Sequence, residues 1–167
     1  MKTIQVQVLT AENFARYGEF QNLLNDASLA SKSVFPYGFF ADVVKLDLGG
    51  GNLPTVSVCQ VKKQEKNIIA SLEARKATCE GLLPLDEDVV IFVGIAFPGR
   101  PFTVDNVEAV YVPKCTFVKL NPDILHGAQF PVNAQTAHIA CILPGRTFAN
   151  DIQMEILPED GRAEIIM

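Results

Sequence analysis

The chain opens on strict alternation. In residues 1–8, Thr3, Gln5 and Gln7 interleave with Ile4, Val6 and Val8, which predicts a half-buried strand. Thr10 is placed to cap a short helix over residues 11–16 that turns Phe14 inward, and Tyr17-Gly18 ends it. Residues 20–33 are small and polar and carry no clear period. Phe35-Pro36-Tyr37-Gly38-Phe39-Phe40 is aromatic and turn-rich, and reads as a loop packed on the core or as a dimer contact. Strand patterning follows over residues 43–48, 55–61 and 67–75. Gly49-Gly50-Gly51 is a connector and not a phosphate loop, because no Gly-Lys-Ser/Thr follows and no helix opens there. Residues 88–96 form an unbroken β-branched apolar run, the mark of a central strand covered on both faces. Residues 107–112, 116–120, 137–143 and 152–156 add further strands, punctuated by turns at Phe97-Pro98-Gly99, Pro144-Gly145 and Pro158. Many short strands with little helical periodicity predict an all-β sandwich or barrel, and residues 1–167 read as one domain.

Composition narrows the partners. At 167 residues, 49% hydrophobic, the chain can bury a real core. A formal charge of −5 and no basic run beyond Lys62-Lys63 argue against nucleic acid or an anionic membrane. No apolar stretch approaches the roughly 20 residues of a membrane span, and the alternating start is unlike a signal peptide. Cys59, Cys79, Cys115 and Cys141 form no paired motif. They read as reduced core residues of a cytoplasmic protein, with Cys79 beside Glu80 the one nearest the candidate chemistry.

That chemistry gathers in two stretches. Glu73 and Arg75 lie two apart in a strand and so share a face. Glu80 follows, and His126 stands just after a Pro122-Asp123 turn. His126 is the candidate acid or base, since an imidazole titrates near neutrality. His138, on the strand face of Ala140 and Ile142, would join it only by pointing into the barrel. Lys119 is weighed against Phe117 for the inward face of its strand, and Tyr111 is a further candidate cavity wall.

The second half resembles a cupin, a double-stranded β-helix (jelly-roll barrel) whose two short motifs bring ligands into the barrel mouth. The first motif's paired histidine positions fall on Glu73 and Arg75, its glutamate on Glu80 and its glycine on Glu87. The second motif's histidine falls on His126. Among cupins the chain resembles the ureidoglycolate lyase family. The likeness rests on Leu9-Thr10-Ala11-Glu12-Asn13-Phe14, Leu82-Leu83-Pro84-Leu85, the stretch from Pro122 to Phe130, and Ile156-Leu157-Pro158-Glu159.

The resemblance implies a cupin barrel with a short N-terminal helix that cleaves ureidoglycolate to glyoxylate and urea, late in allantoin and purine breakdown. His126, Glu73 and Glu80 would be catalytic, with a glutamate raised by burial protonating the leaving nitrogen. Arg75, His138, Tyr111 and Lys119 would bind the small carboxylate substrate. Arg75 stands where relatives keep a histidine, and a guanidinium has no lone pair for a metal. No metal is therefore expected; a weakly held divalent ion would sit on Glu73, Glu80 and His126. A non-catalytic ligand-binding cupin and a sugar-acid isomerase or epimerase are the alternatives, and a homodimer paired through sheet edges is expected.

Overall fold

The structure is a computed structural model that describes residues 1–35, 38–50 and 53–167. Strand β1 (Lys2–Val8) leads into helix α1 (Ala11–Phe14), then β2 (Gly18–Asn22), helix α2 (Asp26–Leu29), β3 (Ser33–Phe35) and β4 (Phe39–Phe40). Next come β5 (Pro54–Lys62), β6 (Asn67–Ile69), β7 (Ser71–Arg75), β8 (Glu80–Pro84) and β9 (Val89–Ile95). The chain closes with β10 (Glu108–Val112), β11 (Thr116–Leu120), β12 (Ile124–Leu125), β13 (Phe130–Pro131), β14 (Thr136–Pro144), helix α3 (Thr147–Asn150), β15 (Ile152–Ile156) and β16 (Ala163–Ile166).

Two sheets curl toward each other as a half-barrel of cupin type. A seven-stranded sheet runs β12-β9-β10-β1-β16-β6, with β13 also on β9. A five-stranded sheet runs β2-β11-β8-β14-β5, and β15 pairs with β7. Most ladders are antiparallel, but β1 lies parallel to both β10 and β16.

Strand β9 explains the architecture. Val89, Ile91 and Val93 enter the core between the sheets with Leu82, Val118, Ile139 and Leu143. Val90 and Phe92 enter a second cluster with Ile4, Ile69, Leu72, Ala74 and Phe130. Both faces are buried, so the strand has no polar alternation to show. Helix α1 closes the first core: Thr10 and Asn13 form a reciprocal capping box, and Phe14 is 1% exposed.

Several expectations change. Residues 43–48 form no strand; the segment is a strap whose Asp47 carbonyl accepts from Cys79 N–H at 2.8 Å. Residues 67–75 are two strands broken at Ala70, because β6 and β7 pair in different sheets. Residues 80–84, unassigned as a strand from sequence, are the interior strand β8. Residues 18–33 hold β2 and α2, the latter capped by Asn25. Of the aromatic stretch, Phe39 is exposed, while Pro36 and Tyr37 lie outside the described residues, as does Gly51 of the glycine connector. No helix among the described residues is long and apolar enough to cross a membrane.

Candidate functional site

Strand β7 builds the site by simple alternation. Leu72 and Ala74 face the second apolar cluster, so Glu73 and Arg75 must leave the opposite face. The turn after Arg75 is held by Asp151, whose carboxylate accepts from the N–H groups of Lys76 and Ala77 at 3.1 and 3.0 Å and from the Thr78 hydroxyl at 2.7 Å. The turn returns the chain as β8, where Glu80 shares the inward face with Leu82. His126 arrives from the other side. Asp123 takes a positive φ of 61°, a conformation Asp tolerates, and aims the chain into β12. The backbones of Glu73 and His126 then bridge. Gly127 follows because Phe92 leaves no room: a Cβ there would meet the ring at 2.7 Å.

Four groups converge. His126 Nε2 lies 3.0 Å from Glu80 Oε2 and 3.5 Å from Glu73 Oε1. Arg75 Nε donates to the same Glu80 oxygen at 3.2 Å, and Arg75 Nη2 lies 4.0 Å from Glu73. His126 Nδ1 donates to the Ile124 carbonyl at 2.8 Å. A carbonyl only accepts, so Nδ1 carries a proton; Glu80 draws a second onto Nε2. Burial opposes charge on His126, but the Glu80 hydrogen bond and charge, with Glu73, outweigh it and raise its pKa. Burial would likewise push the Glu80 carboxyl up, yet the His126 hydrogen bond and charge, with Arg75, hold it below its ordinary value. Glu80 is therefore a buried anion and does not serve as the raised acid, for which either Glu73 or Glu80 was the candidate.

The cluster opens into a cavity of about 420 Å³ at the barrel mouth. Glu73 and Arg75 of β7 line it, with Glu80, Ser57, Cys59, Cys141 and Leu143 from the five-stranded sheet and Phe148 and Met154 at the rim. His126 is no part of its wall; it lies beneath, 3% exposed. The Phe148 ring lies 5.0 Å from the Arg75 guanidinium, a cation–π contact. Arg75 Nη1 is buried with no hydrogen-bond partner among the described residues. Burial and the Glu73 and Glu80 charges raise the Cys59 thiol, and burial with Glu80 pushes Cys141 up to about 12. Both are protonated wall residues, whereas Cys79, the expected neighbour of the site, is buried outside the lining.

Three expected substrate contacts are placed elsewhere. His138 sits on the outer face of β14, because Ala137, Ile139 and Cys141 take the inner one. There its Nδ1 meets Asp86 at 2.5 Å. Lys119 pairs with Glu19 at 2.9 Å, and Phe117, two residues away, shares its outer face, so neither is the inward one of the pair. The Tyr111 hydroxyl donates to Asp88, away from the cavity. The sequence also passed over Phe148, Met154 and Gln129. Alternation places Cys59 and Cys141 inward, but no sequence signal marks which end of a barrel stays open, and Phe148 reaches the rim only through a one-turn helix.

The donor atoms of Glu73, Glu80 and His126 lie within 4.8 Å of one another and could coordinate a divalent metal. The set fits in kind, since two carboxylates and an imidazole whose Nδ1 is fixed on a carbonyl are ordinary metal donors. An ion there would displace both the Nε2 proton and the Arg75 contact from Glu80.

No protein-family model matches the chain, and no curated protein matches it. Solved structures do. The chain is similar to a dTDP sugar isomerase from Desulfovibrio desulfuricans G20, at 12% identity and a TM-score of 0.46 over 64% of this chain and 65% of that one. It is similar to a dTDP-4-dehydrorhamnose 3,5-epimerase from Elizabethkingia anophelis NUHP1, at 9% identity and 0.38 over 65% and 53%. It is similar to RmlC from Streptococcus suis, solved with dTDP-D-xylose, at 15% identity and 0.41 over 73% and 54%. The chain thus spans between about half and two thirds of these structures' own lengths.

The expectation of a ureidoglycolate lyase is corrected here. The neighbours found carry the names of sugar isomerases and epimerases, so the carbon–nitrogen lyase activity and its place in allantoin and purine breakdown are withdrawn. The geometry bears on two of its parts: Glu80, one of the two glutamates offered as the acid for urea, is held as an anion, and the histidine that was to take a proton has both nitrogens engaged.

Proposed function

We propose that the chain is an isomerase acting on a small sugar acid, moving a proton between adjacent carbons through an enediolate. The observation that carries this reading is Glu73: the one carboxylate of the cluster that is part-exposed at the cavity, 23%, set between His126 at 3.5 Å and Arg75 at 4.0 Å. A single base on one face suits a transfer in which the proton leaves one carbon and returns to its neighbour on the same face. Glu73 takes the proton from the carbon bearing a hydroxyl beside the carbonyl. The electron pair left behind delocalises onto the carbonyl oxygen, and Arg75 faces that developing charge. Glu73 then returns the proton to the former carbonyl carbon, while the hydroxyl proton passes between the two oxygens.

His126 acts as a positioning residue, its second proton fixed toward the carboxylates. Arg75 supplies cationic charge at the cavity floor, so the reading needs no metal. A divalent ion, if bound, would be held by Glu73, Glu80 and His126 and would supply Lewis-acid polarisation of the same oxygen. In the same reading the chain works in a reducing compartment, given its free cysteines, and pairs with a second copy through the β5 edge, where Val56 and Val58 are exposed. Light scattering checks the dimer.

The test of the reaction is deuterium uptake from D₂O. Sugar acids and their keto isomers are incubated with the protein and followed by proton NMR. Exchange at the carbon beside the carbonyl, lost at least 100-fold in Glu73→Gln, is the expected result. Binding without exchange across the panel would assign a ligand-binding role instead and defeat the isomerase.

A further inference from the structure

Arg75 is the charge that meets the substrate in the proposed reaction, yet it is only 2% exposed. Its edges face carboxylates: Nε donates to Glu80 at 3.2 Å, and Nη2 lies 4.0 Å from Glu73. One flat face is covered by a ring, with the Phe148 centroid 5.0 Å from the guanidinium carbon. Nη1 is buried without a hydrogen-bond partner among the described residues. Buried donors are ordinarily satisfied, and a cationic one gains most from an anionic acceptor. With so little surface, this one is out of reach of a ligand in the cavity until something above it moves.

The side chain placed to move is Phe148. Its ring is 65% exposed, so turning it outward gives up little buried apolar surface. The backbone beneath it is fixed. Asp151 N–H closes α3 on the Thr147 carbonyl at 2.9 Å, and the Asp151 carboxylate holds the turn that follows Arg75. Ile152, at the start of β15, pairs with Arg75 itself. On the other side, Thr147 is buried, and Gly145 N–H donates to the Leu53 carbonyl at 2.7 Å. The helix is thus tied down beside Arg75, and the motion left to it is rotation of the exposed ring.

We propose that Phe148 is a gate on Arg75. The ring covers the guanidinium in the closed position and turns toward solvent when an anionic substrate oxygen takes its place. The inference rests on the reading of Arg75 as the group that meets the developing charge. Charge-assisted hydrogen bonds to a carboxylate or enediolate outweigh a cation–π contact near the surface. A neutral ligand of the same shape gains less and leaves the ring where it is. Phe148 therefore helps to determine specificity for acids.

Phenylglyoxal, which condenses with the terminal nitrogens of a guanidinium, reads access to Arg75 by peptide mapping. Arg75 should react at least ten-fold faster in Phe148→Ala than in the wild type, with exposed Arg100 as the internal reference. Phe148→Trp should protect Arg75 as well as the native ring does. The chain has no tryptophan, so this variant carries a single indole at the gate. Its emission should shift to the red with gluconate, as the indole turns into water, and stay in place with sorbitol, the neutral counterpart. Arg75→Gln in the same background should abolish the shift. Equal Arg75 reaction rates in the wild type and Phe148→Ala overturn the gate. A blue shift, or no shift with gluconate bound, overturns it too. Faster modification of Phe148→Ala without deuterium exchange on any sugar acid would instead remove the isomerase and leave the gate standing.

Discussion

Glu73 and His126 are a hydrogen-bonded pair of an antiparallel bridge. The N–H of Glu73 donates to the His126 carbonyl at 2.8 Å, and the N–H of His126 returns to the Glu73 carbonyl at 2.9 Å. Directly opposed residues of such a pair send their side chains to the same face. The carboxylate and imidazole are therefore brought together by the backbone itself. Neighbouring contacts extend the bridge, with Asp123 N–H on the Arg75 carbonyl at 2.6 Å. A site held this way keeps its geometry when a single side chain is changed, which makes substitutions in it readable.

Stability should pass through a plateau in pH set by this cluster. Glu80 is lowered in the fold from its ordinary 4.5, so its contribution is full above that value and is lost as pH falls through the lowered one. His126 is raised from 6.5, so its contribution is full below 6.5 and is lost as pH rises through the raised value. The plateau thus spans the interval between the two ordinary values. Urea denaturation followed across pH should show both limbs, and Glu80→Gln should flatten the acid limb and weaken the alkaline one. Superimposable profiles for the two proteins would refute the linkage.

Removing the Glu80 carboxylate has a second consequence. Glu80→Ala leaves the Arg75 and His126 charges buried without their shared partner. Breaking a buried pair in this way costs about 3–5 kcal/mol. Denaturant midpoints measured at neutral pH check the size, and a loss under about 1 kcal/mol would mean that water reaches the cluster and screens it.

How much of this was legible follows from particular residues. Glu73 and Arg75 share a face by strand parity alone, and parity survives folding unchanged. The run at 89–95 reads as central because both its faces are buried. Tyr111, Lys119 and His138 were misplaced for one reason: parity says which residues share a face, but not which face looks into the open end. The same limit hid Gln129, which reaches the cavity from the stretch between β12 and β13, and Phe148, which reaches it from helix α3. The split at Ala70 was invisible because no turn residue interrupts 67–75, and β6 and β7 part only in the strand each pairs with. Cupin motif spacing located Glu80 and His126, yet the charge state of the pair depends on Ile124's carbonyl and Arg75's position, which only the fold supplies.

Gly127→Ala tests how tightly the His126 strand is packed. The added methyl would meet the Phe92 ring at 2.7 Å, and that ring is itself confined against Phe130. Overpacking of this kind costs about 1–3 kcal/mol. The double variant with Phe92→Leu should recover most of the loss, giving a coupling energy of about 0.5–3 kcal/mol in a double-mutant cycle. Additive losses would show that the strand shifts freely and that the glycine is incidental.

Arg75 decides whether the cluster prefers a metal or a proton. Its Nε sits 3.2 Å from Glu80 Oε2, one of the oxygens an ion would use. A dication about 4 Å from a guanidinium is repelled by roughly 8 kcal/mol at an effective dielectric near 20, twice the unit-charge figure. Arg75→Gln removes that opposition and leaves Glu73, Glu80 and His126 in place on their own strands. Titration calorimetry with zinc, nickel and manganese should therefore find weak binding to the wild type and at least 100-fold tighter binding to the variant. The gain should be steeper at higher pH, where the raised His126 gives up its second proton. Stoichiometric, tightly held metal in wild-type protein purified without chelator would reverse the conclusion and make the guanidinium a tolerated neighbour of a metal centre.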